Sequence, residues 1–422
     1  MKLTIAPAVV LFLLTFAIAV PADENWPQFR GPQGNGIATD SAPPLRWGED
    51  ENVTWKVEVP GLGWSSPVIQ DGRLFLTTAI PTKTDDGEQI QLALLCYSPE
   101  TGEQTWKLDL FAHASDRSVQ IHNKNSHASP TPIIVGDRIF VHFGPHGTAC
   151  VRTDGEVLWR NESLNYQPVH GNGGSPALVD DKLIICCDGG DQQFVVALNQ
   201  NTGEELWRVD RDLDVSRGFS FCTPTLIDVD GTSQVICPGS GAVMALDPNT
   251  GSEIWRVEYG QGYSVVPRPV FGNGLLYICT GYDTANLLAL DPTGEGNVTE
   301  THVKWSTARN IPHSPSLLLV DDILYAVDDR GVATAFNALD GEVHWRQRLT
   351  GPFSASPTFA AGHVFFQDEK GTTTVVRSGE SFEEVSVNQI ADGKERTFAS
   401  FAFVNNALFL RSESHLYRIE AR

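Results

Sequence analysis

Apolar residues in this chain come in short runs that alternate with polar positions and stop at a turn, and no segment sustains the spacing of an amphipathic helix. The runs are rich in β-branched and aromatic residues, as in Arg73-Leu74-Phe75-Leu76, Leu275-Leu276-Tyr277-Ile278 and Val243-Met244-Ala245-Leu246. They predict strands. Between consecutive runs stand Gln70-Asp71-Gly72, Asp180-Asp181, Asp230-Gly231, Asn273-Gly274, Asp321-Asp322, Ala361-Gly362 and Asn405-Asn406. Nearly all of these pairs tolerate positive φ, which two-residue hairpin turns require. The elements are therefore antiparallel hairpins.

The pattern repeats. Ala245-Leu246-Asp247-Pro248-Asn249-Thr250-Gly251-Ser252-Glu253-Ile254-Trp255 has counterparts ending at Trp207 and Trp345, and further tryptophans at 106, 159 and 305 hold the same position. Units begin at Ser66-Pro67, Ser129-Pro130, Ser175-Pro176, Thr223-Pro224, Ser314-Pro315 and Ser356-Pro357, with Arg268-Pro269 and Ser400-Phe401 as degenerate starts. Four short strands in roughly 45 residues is the period of a propeller blade. The eighth unit ends after three strands, and residues 52–57, which carry Trp55, form an orphan strand at the other end. Joining them closes the ring and leaves no free sheet edge. The expected fold is all-β: a closed eight-bladed β-propeller over 53–422, its last blade completed by the N-terminal strand. The seventh unit has no tryptophan on its fourth strand, Glu384-Val385-Ser386-Val387, so its seam is expected to be the weakest.

Ahead of the propeller, Lys2 and an apolar run at 6–20 lead to small residues near Ala22, the order of a secretory signal peptide at 1–22. A leader occupies 23–52. Export to the periplasm or beyond follows, with no later transmembrane segment and no cysteine near the cleavage site to carry a lipid anchor. The net charge of −22 argues against a nucleic-acid partner, which needs a basic face. Seven cysteines without framework spacing predict buried thiols rather than disulfides. The chain is expected to be a monomer.

With Ala245, Asp247, Thr250, Gly251 and Trp255 at every defining position, the repeat resembles the pyrroloquinoline-quinone-type repeat family, and the match spans 53–421. The resemblance implies an eight-bladed propeller. Its members include quinone-dependent alcohol dehydrogenases and non-catalytic scaffolds such as the propeller-type outer-membrane assembly factor. The leader Trp26-Pro27-Gln28-Phe29-Arg30-Gly31-Pro32 is similar to the start of exported propeller proteins common in planctomycete bacteria. The dehydrogenase resemblance implies pyrroloquinoline quinone and calcium, an aspartate base and a disulfide between adjacent cysteines. Cys186 and Cys187 are adjacent, yet they continue a strand in which successive side chains face opposite ways. No cofactor is therefore expected.

In propellers the residues entering the innermost strands line one mouth of the channel. The seven-residue windows before the unit starts hold six cations, Lys124, Arg217, Arg268, Arg309, Lys394 and Arg396, and one acid, Glu395, on a chain with 30 basic and 52 acidic residues. Trp64, Asn125, His127, His170, Asn172, Tyr263 and His313 fall in the same windows. Cations and amides beside aromatics suit an anionic or saccharide-like ligand or a protein segment. An insertion at 110–126 is expected to cover the mouth in part. Its His113 and His122, with His127, His142 and His146 nearby, fit no known metal-ligand spacing, so no metal is expected. Nucleophile-elbow, metallohydrolase and phosphate-loop motifs are absent from the sequence. The expected role is binding rather than catalysis, with a quinone-dependent alcohol dehydrogenase and an outer-membrane assembly scaffold, both implied by the resemblance, as the alternatives.

Overall fold

The turns between first and second strands adopt a left-handed backbone: φ lies between 48° and 54° at Asp71, Asp180, Asp230, Asn273, Asp321 and Asn405, residue types that tolerate it, and also at Ala361, which has no such preference. Each turn closes a hairpin, and two more antiparallel pairings complete a blade. In the fourth blade, for example, Thr225–Val229, Thr232–Pro238, Ala242–Leu246 and Glu253–Glu258 pair in order. The computed structural model describes residues 25–39, 41–85, 87–115, 121–283 and 285–421; the expected signal peptide lies outside them. Eight such sheets form a propeller ring. Among the described residues no helix is long and apolar enough to cross a membrane.

The ring closes as the repeat count requires. Val53–Glu58 pairs antiparallel with His415–Ile419, setting Trp55 opposite Arg418 and Val57 opposite Leu416. The final blade thus takes its outer strand from the start of the propeller and its other three from the end. Among the described residues each blade thus has at least four paired strands.

Neighbouring blades are joined through the repeated turn. The indole Nε1 of Trp55 donates to Pro99 O (3.1 Å), Trp159 to Gln200 O (2.9 Å), Trp207 to Pro248 O (3.0 Å), Trp305 to Ala338 O (3.0 Å) and Trp345 to Gly379 O (3.0 Å), in each case a carbonyl in the next blade. The glycine of that turn lies beneath the ring. At Gly251, φ is +74° and a Cβ would fall 2.7 Å from Trp207 Cε3. Glycine is thus required twice, by backbone conformation and by close approach. Trp255 differs, donating instead to Gln234 Oε1 within its own blade (2.8 Å).

The seam after the seventh blade is filled from the leader. Trp47, 4% exposed, stacks on Phe365 at 6.2 Å, and its amide donates to Asn388 Oδ1 (3.0 Å). Leu45 O accepts from Asn388 Nδ2 (3.1 Å), and Ile37–Ala38 adds a parallel strand to the same blade. The missing tryptophan is replaced by one that the repeat pattern could not place.

Candidate functional site

The unit starts line up around the channel axis and hydrogen-bond to one another. The amide of Ser66 donates to Thr131 Oγ1 (3.0 Å), Thr131 to Ser175 Oγ (2.9 Å), Ser175 to Thr223 Oγ1 (3.0 Å), Arg268 to Ser316 Oγ (3.0 Å), Ser316 to Ser356 Oγ (3.0 Å), Ser356 to Ser400 Oγ (3.0 Å) and Ser400 back to Ser66 Oγ (3.2 Å). The belt breaks only between the fourth and fifth blades, because Arg268 stands where the others carry a hydroxyl. It also corrects two unit starts by two residues: the equivalents in blades 2 and 6 are Thr131 and Ser316, not Ser129 and Ser314. Each oxygen spends a lone pair on the neighbouring amide and keeps its O–H to donate. All seven hydroxyls line one cavity.

That cavity, about 330 Å³, is the central channel closed at one end. Its floor comes from the leader, whose Phe29 lies among the lining residues. Arg30, fully buried beside it, holds the leader in place: Nη2 donates to Asn35 O (2.6 Å) and Leu317 O (2.7 Å), and Nη1 reaches Pro357 O (3.4 Å). Burial, then the nearby charge of Arg268, lowers the Arg30 pKa to about 9. Arg268 donates to Phe29 O (2.9 Å) and Thr225 Oγ1 (3.1 Å), and a Cβ on Gly34 would strike its guanidinium at 2.3 Å from Nη1. Two buried arginines therefore fasten a plug of leader backbone.

The walls are aromatic. From one side run His122, His170, Phe219, Tyr263, Tyr282 and His313, each ring against the next, with centroids 5.4, 5.5, 5.4, 6.3 and 4.3 Å apart. Across the channel Trp64 packs on Phe398 at 4.6 Å. Such faces stack on flat or apolar ligand surfaces.

At the mouth the cations are paired. Lys124, carried by the first-blade insertion, reaches Glu369 (2.8 Å) and Asp329 (3.5 Å) in the seventh and sixth blades. Burial works against its charge, but the hydrogen bond to Glu369 and both carboxylates outweigh it and hold its pKa above the ordinary value. Arg396 Nε donates to Glu413 (3.0 Å), its Nη1 to Asn123 O of the insertion (2.9 Å), and its guanidinium lies over Trp64 at 5.3 Å. Arg217 lies over Tyr263 at 4.6 Å and meets Asp283 at 3.4 Å. The Asn125 side chain and the His122 amide both donate to His170 O (2.9 and 3.2 Å). Residues 121–125 are thus fastened across the mouth from several sides.

Of the residues singled out in the sequence, Trp64, Lys124, Asn125, His170 and Tyr263 line the cavity, and Arg217, His313 and Arg396 stand at its rim. Arg268 is in the floor. Arg309 is exposed and outside the cavity lining, and its charge helps lower the pKa of Arg346. Asn172 accepts from Tyr166 Oη (2.9 Å), and His127 packs with His113 and His146. Sequence reasoning missed the counter-charges, Asp283, Asp329, Glu369 and Glu413. They lie in the turns between second and third strands, which share the rim with the unit starts; comparing Asp328-Asp329-Arg330-Gly331 with Asp368-Glu369-Lys370-Gly371 as well would have found two of them. Phe29 was missed because the leader has no repeat.

Residues 48–192, 93–322 and 299–381 match the family described as outer membrane protein assembly factor BamB. No curated protein matches the chain. Among solved structures, BamB from Moraxella catarrhalis is 15% identical, with a TM-score of 0.59 over 88% of this chain and 97% of that one. A europium-containing methanol dehydrogenase is 9% identical, with a TM-score of 0.65 over 94% and 98%. A quinohemoprotein alcohol dehydrogenase from Pseudomonas putida is 12% identical, with a TM-score of 0.51 over 85% and 76%. At these identities the likeness is one of fold.

Proposed function

The chain belongs to the family described as outer membrane protein assembly factor BamB, and from that premise we propose that it is an exported, monomeric binding propeller whose closed channel takes a neutral, saccharide-like ligand. One observation carries the reading: seven hydroxyls with unspent O–H donors ring a cavity walled by aromatic faces. Donors of this kind meet ring and hydroxyl oxygens, and aromatic faces cover the apolar C–H side of a sugar. The ion pairs favour a neutral ligand over an anionic one, since Lys124, Arg217 and Arg396 already hold carboxylates.

The dehydrogenase relatives suggest a quinone with a metal. Such a centre needs several carboxylate or amide oxygens converging on one ion. The channel offers hydroxyls and rings instead, while Asp329 and Glu369 at its mouth are occupied by Lys124, Ser314 and Ser354. Cys186 and Cys187 are free and buried. The residues present do not fit that group. An assembly scaffold has the family description behind it, but no single apolar docking face accompanies it, because exposed large apolar residues such as Leu206, Leu226, Leu339 and Val387 are spread over separate blades.

The test is an array of neutral oligosaccharides with their sulfated counterparts. Binding to neutral members, insensitive to salt and weakened at least about tenfold in Trp64→Ala and Tyr263→Ala, is the expected result. Silence across the array, or salt-sensitive binding of sulfated members alone, overturns the reading.

A further inference from the structure

Beside the channel mouth, between the first and second blades, three imidazoles from separate segments come together. His113 is the penultimate residue of the outer strand Gln104–Ala114, His127 lies in the connection to the second blade, and His146 closes the short turn Gly144–His146. His113 and His146 stack with centroids 4.0 Å apart and planes 7° from parallel; His127 is 4.7 Å from the first and 5.9 Å from the second. One ring nitrogen from each lies within 4.8 Å of the other two. Sequence spacing could not reveal this, because the rings sit 14 and 19 residues apart along a chain that folds back between them.

Core packing does not account for the arrangement. All three side chains are partly exposed, so the rings do not serve as apolar filling. Nδ1 of His113 lies 3.2 Å from Ala114 O, which makes Nδ1–H the donor and leaves Nε2 with a bare lone pair. That Nε2 is buried and has no hydrogen-bond partner. A buried polar atom left unpaired is costly, and a metal-ligating histidine has this same construction: one nitrogen fixed by a backbone carbonyl, the other presented to the ion. Burial, and then the neighbouring rings, lowers the pKa of His127 and of His146 to about 4, and burial lowers that of His113. All three imidazoles are therefore neutral and ligand-competent in ordinary solution.

We propose that His113, His127 and His146 form a binding site for a divalent transition-metal ion of the zinc and copper class. Imidazole nitrogen is the preferred donor for these ions, and three nitrogens leave a coordination position free for water or an oxygen ligand. Tetrahedral zinc, with bonds of about 2.0–2.1 Å, needs its nitrogens roughly 3.3 Å apart. The nitrogens lie within 4.8 Å of one another, so binding would draw them together by up to about 1.5 Å and turn the His127 and His146 rings toward His113 Nε2.

The test uses the full chain, stripped with chelator and dialysed. Titration with Co²⁺ is expected to raise ligand-field absorption in the visible range that saturates at one equivalent, and Zn²⁺ is expected to displace it. His127→Ala and His146→Gln should each weaken binding at least about tenfold, whereas His363→Ala, a histidine on the seventh blade, should leave it unchanged. Circular dichroism and the melting temperature of each variant separate loss of a ligand from loss of fold. Absence of a one-equivalent phase in the unaltered protein overturns the proposal, and so does a phase that survives both substitutions.

Discussion

At the scale of single residues, the chain sets hard limits where a side chain has one neighbour and no room. Gly251 lies under Trp207 with positive φ, so Gly251→Ala combines backbone strain with a clash against the indole. The expected cost is on the order of 2–4 kcal/mol, read as a lower denaturant midpoint with an unchanged slope. His142 is 1% exposed, its Nδ1 is 2.8 Å from Thr148 Oγ1, and burial lowers its pKa to about 3. In the unfolded chain the same ring titrates near 6.5, so between those values the unfolded state binds the extra proton and stability falls as pH falls. A chemical-denaturation series from pH 7 to about 4 is expected to show that loss, and His142→Gln, which has nothing to titrate there, is expected to make it shallower, the remaining slope coming in part from His127 and His146, whose pKa values are lowered as well.

At the scale of elements, the leader does work that the repeats leave undone. Trp47 fills the one seam whose own blade lacks a tryptophan, and Phe29 with Arg30 closes the channel floor. Trp47→Ala is therefore expected to cost about 3–5 kcal/mol, like any fully packed tryptophan, and calorimetry is expected to show it as a shift of the whole transition. An effect below about 1 kcal/mol would mean the seam holds without it. The blades themselves were legible because each is local: alternation, a turn that tolerates positive φ, and a tryptophan at fixed distance all lie within one period. The leader was not legible. Its residues 26–47 repeat nothing, and their partners, Leu317, Pro357 and Asn388, are hundreds of residues away in sequence.

At the scale of the whole molecule, closure makes the last seam equal to the others. Trp55 lies on the N-terminal strand yet bonds to Pro99 of the first blade while its strand pairs with His415–Ile419. Trp55→Ala is accordingly expected to destabilise the whole ring about as much as Trp159→Ala, roughly 3–5 kcal/mol, with both unfolding in a single step. A separate early transition in Trp55→Ala alone would show a ring that tolerates opening. The sequence by itself determined the number of blades, the hairpin turns and the joining of residues 53–58 to the final three strands, because those follow from a period repeated along the chain and from the cost of leaving a strand edge unpaired. Only the tertiary structure decided the electrostatics of the mouth and the grouping of His113, His127 and His146. Charge pairing and ligand convergence depend on distances across the ring, and Lys124 meets Glu369 only after seven blades have brought their turns to the same rim.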